Sequence, residues 1–204
     1  MSDFHQSNRI TNEKYRRELL DHVTKLACPE NISDFDAKDP QKFYLGFKNC
    51  VTPLINTEIE RLKTSLTRTS NSHLFLLKIT ALVDSIIQAA FDASIWFHNQ
   101  TLQKKLHSKD IAIAIIARGG YGREEFYFQS NVDVQIISGK SQTKEIKHIV
   151  RHLEYLFVHQ SIFQTATSAC YKDIESLEKE LISGKASDLC ALLEGRLVAG
   201  NSNT

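Results

Sequence analysis

The chain has 204 residues, 42% of them hydrophobic and 24% charged, with a formal net charge of +1. That apolar content excludes a disordered polypeptide and suffices for one or two cores, while the near balance of acids and bases gives no bulk attraction to nucleic acid or to an anionic membrane. Cys28, Cys50, Cys170 and Cys190 are scattered without a Cys-x-x-Cys pair, which suits reduced thiols in the cytoplasm and neither a disulfide framework nor a zinc cluster.

Residues 1–108 read as a helical N-terminal region. Tyr15, Leu19, Val23 and Leu26 keep helical spacing over about 12–27, with Thr11 or Asn12 available as a cap. The polar PENISDFDAKDP segment (29–40) reads as a linker. A helical stretch over about 41–68 is expected to start anew or kink near Pro53. Leu76, Ile79, Val83, Ile86, Ala90, Ala93 and Phe97 then alternate three- and four-residue steps, with Phe75, Leu82, Ala89 and Trp96 widening the stripe, so a long core helix is expected. Lys78, Asp84, Gln88 and Asp92 interrupt it and the N-terminus has no apolar signal core, so neither a membrane span nor secretion is indicated.

The pattern changes in residues 109–204. IAIAIIA (111–117) has the apolar, β-branched character of a buried central strand, and VDVQIIS (132–138) is a second strand paired with it like a hairpin. Ile146, Ile149, Val150, Leu153, Leu156 and Phe157 mark an amphipathic helix over 143–159. SIFQTATSA (161–169) suggests a third strand and DIESLEKELISG a short helix, while the spacing in DLCALLEGRLVAG fits either a helix or a strand. His148 and His152 lie one helical turn apart without a visible third ligand, so they read as a solvated face.

The densest glycine cluster, GGYG (119–122), lies between the two strands. A dinucleotide fingerprint would need glycine at Glu125, and a P-loop ending at Gly139-Lys140-Ser141 would need glycine at Val134. A third chemistry fits the order of residues. Glycines let backbone approach a triphosphate closely, and residues 131 and 133, two apart on a strand, point the same way and can share a cation. The sequence GGYGREEFYFQSNVDV resembles the signature of the PII-protein uridylyltransferase and uridylyl-removing enzyme family, Gly-Gly-Tyr-Gly-Arg-Gly-Glu followed by Ser-Asp-x-Asp. LVDSII (82–87) and ALLEGRLVAG (191–200) look like two further segments of that family, so the resemblance covers about 75–200.

The resemblance implies an α+β chain, an N-terminal helical segment followed by a nucleotidyltransferase-fold mixed sheet flanked by helices. It implies a catalytic set of Asp133, Asn131 and Glu194, with Asp133 and Asn131 as magnesium ligands. Gly119, Gly120, Arg123, Ser130 and Arg196 would bind the nucleoside triphosphate, UTP in the family, and the acceptor would be a hydroxyl of a PII-like regulatory protein. The chain departs from the pattern at three places. Asn131 replaces the first acid of the metal pair, Glu124 replaces a loop glycine, and Ser168-Ala169-Cys170-Tyr171 lacks the base of a Ser-Val-Arg-Thr-like strand. The alternative is therefore a catalytically silent nucleotide-binding or protein-interaction module.

Overall fold

The computed structural model describes residues 2–28, 32, 36, 39–127, 129–139, 143–159, 163, 167–183 and 193–201. Three long helices come first: α1 (Ser2–Leu26), α2 (Pro40–Thr69) and α3 (Ser72–Leu102). α1 begins well before the expected cap at Thr11 or Asn12. Asp39 caps α2 through the Gln41 amide, and Pro40 occupies the first turn, where a missing N–H costs nothing. α2 also runs through Pro53 without ending. Buried Val51, Leu54 and Ile55 beside the proline hold the helix in place, a case of packing outweighing a lost backbone bond. Of the α3 side chains expected inside, Ile79, Leu82, Val83, Ile86, Ala90 and Phe97 are buried, while Leu76 and Trp96 are only partly so. α3 is long and apolar enough to cross a bilayer, and 78% of its most apolar window lies within the protein, as a core helix requires.

Four strands form the sheet: β1 (Ile113–Ala117), β2 (Val132–Ser138), β3 (Thr167–Asp173) and β4 (Arg196–Gly200), in spatial order β3-β2-β1-β4. β1 pairs antiparallel with β2 and with β4, and β2 pairs parallel with β3. A parallel pair needs a crossover, and α5 (Lys144–Glu154), capped by Thr143, lies in it, followed by a π-type turn at Tyr155–His159. Of the expected third strand (161–169), residues 161, 162 and 164–166 lie outside the described ones; β3 runs on through Tyr171 to Asp173, whose carboxylate caps α6 (Ile174–Ser183) at the Ser176 amide. Of the ambiguous DLCALLEGRLVAG segment, Arg196–Gly200 is strand and residues 188–192 lie outside the described ones.

One face of the sheet carries Ile113, Ile115 and Ala117 with Val132, Val134 and Ile136, all buried in a core cluster that runs without a break from Tyr15 to Ala199. α3 packs on α1, α2, α5 and β4, and so lies between the helices and the sheet. The opposite face bears Arg118, Asp133, Gln135 and Cys170. Asp133, Arg118 and Cys170 are only half-buried there.

Candidate functional site

The chain leaves β1 at Arg118 in extended conformation and turns at once. Gly119 takes φ +55°, and Gly119–Gly122 forms a single helical turn, α4. The three glycines have different causes. Gly119 needs the left-handed conformation that only glycine adopts freely. At Gly122 an added Cβ would stand 2.5 Å from the Glu194 carbonyl oxygen and 2.9 Å from that of Ala117, so close packing excludes a side chain. Gly120 has neither constraint, since its Cβ would meet nothing nearer than the Arg123 guanidinium at 3.9 Å. Glu124 also has positive φ, at 62°. Its backbone therefore holds a conformation that favours glycine, the residue the resembled signature has there, and its carboxylate pairs with Arg16.

Tyr121 anchors the turn. Its ring is buried, edge-on to Phe126, and its hydroxyl donates to Asp84 at 2.6 Å. Burial first, and then the adjacent negative Asp84, push its phenol well above the usual tyrosine range. Asp84 lies in the middle of α3 with its side chain 5% exposed. It accepts two bonds from Arg196, at 2.8 and 2.9 Å, and one from Arg16 at 2.5 Å. The Arg196 guanidinium also lies over the Tyr121 ring. A buried carboxylate with a bidentate arginine is well satisfied, so this hub ties α1, α3, α4 and β4 together. Arg196, expected at the nucleotide, is held instead by Asp84.

Asp133 projects from the second position of β2 and Asn131 lies just before the strand, exposed. Ser130 is exposed too, its amide bound to the Tyr127 carbonyl at 2.7 Å. Arg123, expected at the nucleotide, and Glu194, expected in the catalytic set, meet each other at 2.5 Å, and Arg123 also binds Glu125 at 2.8 Å. Asp133 and Asn131 lie two residues apart at the start of β2. One carboxylate and one neutral amide leave most of an octahedron to water and phosphate, and among the described residues no three His, Cys, Asp or Glu side chains are grouped to hold a metal ion. The structure thus brings Gly119, Gly120 and Asp133 to one end of the β1–β2 pair, and directs Arg123, Glu194 and Arg196 to other partners.

A cleft of about 700 Å³ lies beyond the loop, lined in part by Arg16, His73, Leu76, Arg123 and Glu124. Sequence reasoning missed Arg16, Arg118 and the role of Asp84. Asp84 carried a signal: an acid in the centre of the most apolar helix implies a buried cationic partner. Arg16 and Arg118 carried none.

Among curated proteins the chain is similar to a bifunctional uridylyltransferase/uridylyl-removing enzyme of Zymomonas mobilis subsp. mobilis, at 26% identity over 186 residues. The alignment covers 91% of this chain and 18% of that enzyme, so the chain spans under a fifth of its relative's length. No family model matches. The similarity supports a distant relationship to a uridylyltransferase.

Proposed function

We propose that the chain is a nucleotidyltransferase-like domain that binds a nucleoside triphosphate, UTP by its relationship, at the loop end of the β1–β2 pair, and transfers UMP to a protein hydroxyl such as that of a PII-like regulator in the cytoplasm. One observation carries this reading. The glycine turn delivers Asp133 to the outer face of the sheet, directly beside a loop whose first glycine has nothing within 4 Å of where a side chain would be. Gly119 and Gly120 would lie against phosphate, Ser130 and Asn131 would flank the nucleotide, and Asp133 would orient the reacting end. Magnesium, where it accompanies the nucleotide, would screen phosphate charge, and Asp133 and Asn131 are the residues that would hold it. The test is incubation of the purified chain with α-labelled UTP and a PII-type regulator. Label on the regulator, lost in Asp133→Ala, is the expected result; no label on any acceptor overturns transfer.

The mutual neutralisation of Arg123 and Glu194 supports a second reading, a silent module that keeps nucleotide binding and has lost transfer. Binding of UTP without any incorporation is its signature. Either reading requires nucleotide binding.

A further inference from the structure

The charge on the outer face is not the charge of a two-aspartate site. Two aspartates place two negative charges beside the phosphates, and a divalent ion must offset them before a triphosphate can approach. Here Asn131 is neutral, and Arg118 lies directly across from Asp133. The Arg118 amide donates to the Asp133 carbonyl at 2.9 Å, continuing the register that pairs Ala117 with Val134. Opposed residues of an antiparallel pair put their side chains on the same face. Asp133 and Arg118 together therefore bring a net charge of zero.

The guanidinium is fixed in place, not free in solvent. Its NH1 donates to Gln135 Oε1 at 3.0 Å, and Gln135 is itself held by donating Nε2 to the Cys170 carbonyl at 3.1 Å. Gln135 is 1% exposed, so this acceptor is rigid. The Arg118 Nε is buried and has no partner among the described residues, and no carboxylate among them forms an ion pair with Arg118, Asp133 included. A guanidinium carries five N–H donors in a planar fork. This one is half-buried and lacks an anion among the described residues, a costly state for a cation unless a ligand completes it. Cys170, where a basic residue was missing from the sequence pattern, is the register partner of Gln135. The positive charge missing from β3 is thus supplied at the same face by the residue that follows β1.

We propose that Arg118 is a phosphate-binding residue, and that through it the domain binds the phosphates of a nucleoside triphosphate without a divalent ion. The inference rests on the nucleotide-site reading given above. It places the γ- and β-phosphates between the Arg118 fork and the Gly119–Gly120 backbone, with Asp133 at the edge of the site.

The test is calorimetric titration of the full chain with UTP and with inorganic triphosphate, each in excess EDTA and again in magnesium. Wild-type chain should bind both probes in EDTA with a dissociation constant within about threefold of that in magnesium. Arg118→Ala should weaken binding in EDTA at least tenfold, and Arg118→Lys should recover part of it. A thermal melt of each variant separates lost binding from lost folding, and Arg118→Lys keeps the charge should the alanine variant unfold. Binding that needs magnesium and is indifferent to Arg118→Lys and Arg118→Ala overturns this inference and leaves the nucleotide site standing. Absence of UTP binding in both buffers overturns the nucleotide site itself, and this inference with it.

Discussion

At the scale of single residues, the glycine loop separates backbone need from ligand need. Gly122 is fixed by packing against two carbonyl oxygens, whereas Gly120 has open space where a side chain would go. Gly122→Ala should therefore destabilise the fold by roughly 2–3 kcal/mol, as overpacking in a rigid site does. Gly120→Ala should leave the urea midpoint within about 0.5 kcal/mol of wild type, as for a substitution with no packing conflict, and should weaken UTP binding alone. An equal loss of stability in both would sink this division. The sequence marked the turn and placed its glycines between two strands. It could not tell Gly120 from Gly122, because the atoms that crowd Gly122 include a carbonyl 72 residues further along (194 − 122). Glu124 is a similar case. Its departure from the glycine pattern was visible, while its positive φ and its pairing with Arg16 required coordinates.

Between elements, the least expected feature is a histidine cluster joining α2, α3 and α5. His98 Nδ1 lies 3.0 Å from His148 Nδ1, and His152 Nε2 lies 3.2 Å from the same nitrogen. The Tyr44 hydroxyl meets His152 Nδ1. His148 and His152 had read as a solvated face, yet His152 is 4% exposed and His98 wholly buried. The correction comes from α3, whose His98 precedes His148 by 50 residues and so shares no local pattern with it. Burial lowers all three, and His152 is pushed down to about 3, with His148, His98 and Arg151 adding like-charge repulsion. Lys104 acts on His98 in the same direction and Glu145 opposes it. Because the folded values are depressed, the neutral cluster stabilises the fold above the unfolded histidine value near 6.5, and that stability is lost as pH falls below it towards 3. At pH 5 the unfolded state gains about 2 kcal/mol from protonating His152 alone. A melt series from pH 7.5 to 5 should therefore drop by roughly 5 °C or more, and His152→Gln should flatten the slope. A flat wild-type profile would mean that the ring contacts do not persist in solution.

Across the whole molecule, α3 decides what the sequence could reveal. Its stripe was legible because each member sits on one periodic face, and the strands β1 and β2 were legible from their apolar runs. The order β3-β2-β1-β4 was not, because β4 reaches β1 only after about 80 intervening residues (196 − 117), and no local signal sets that pairing. The Asp84 hub crosses a greater distance, 112 residues to Arg196. Replacing Asp84 with alanine leaves Arg16 and Arg196 without their shared carboxylate and should cost about 3–5 kcal/mol, the usual penalty for breaking a buried charge pair. Since the core runs without a break from the helices to the sheet, that loss should appear as one transition, with Trp96 fluorescence and far-UV circular dichroism coinciding. Two separated transitions would show that the helices and the sheet unfold independently.

The same hub constrains how the chain can be synthesised. Asp84 emerges from the ribosome 112 residues ahead of Arg196, and β1 emerges long before the strand that covers its second edge. Through that interval α3 holds an acid that has Arg16 but not yet Arg196 to offset it, while the central strand keeps a row of amides and carbonyls open to any neighbouring nascent chain. Translation speed between residues 117 and 196 thus sets how long an aggregation-prone edge is displayed. A ribosome stall within that span should trap the chain in that state, where a stall before residue 113 would not.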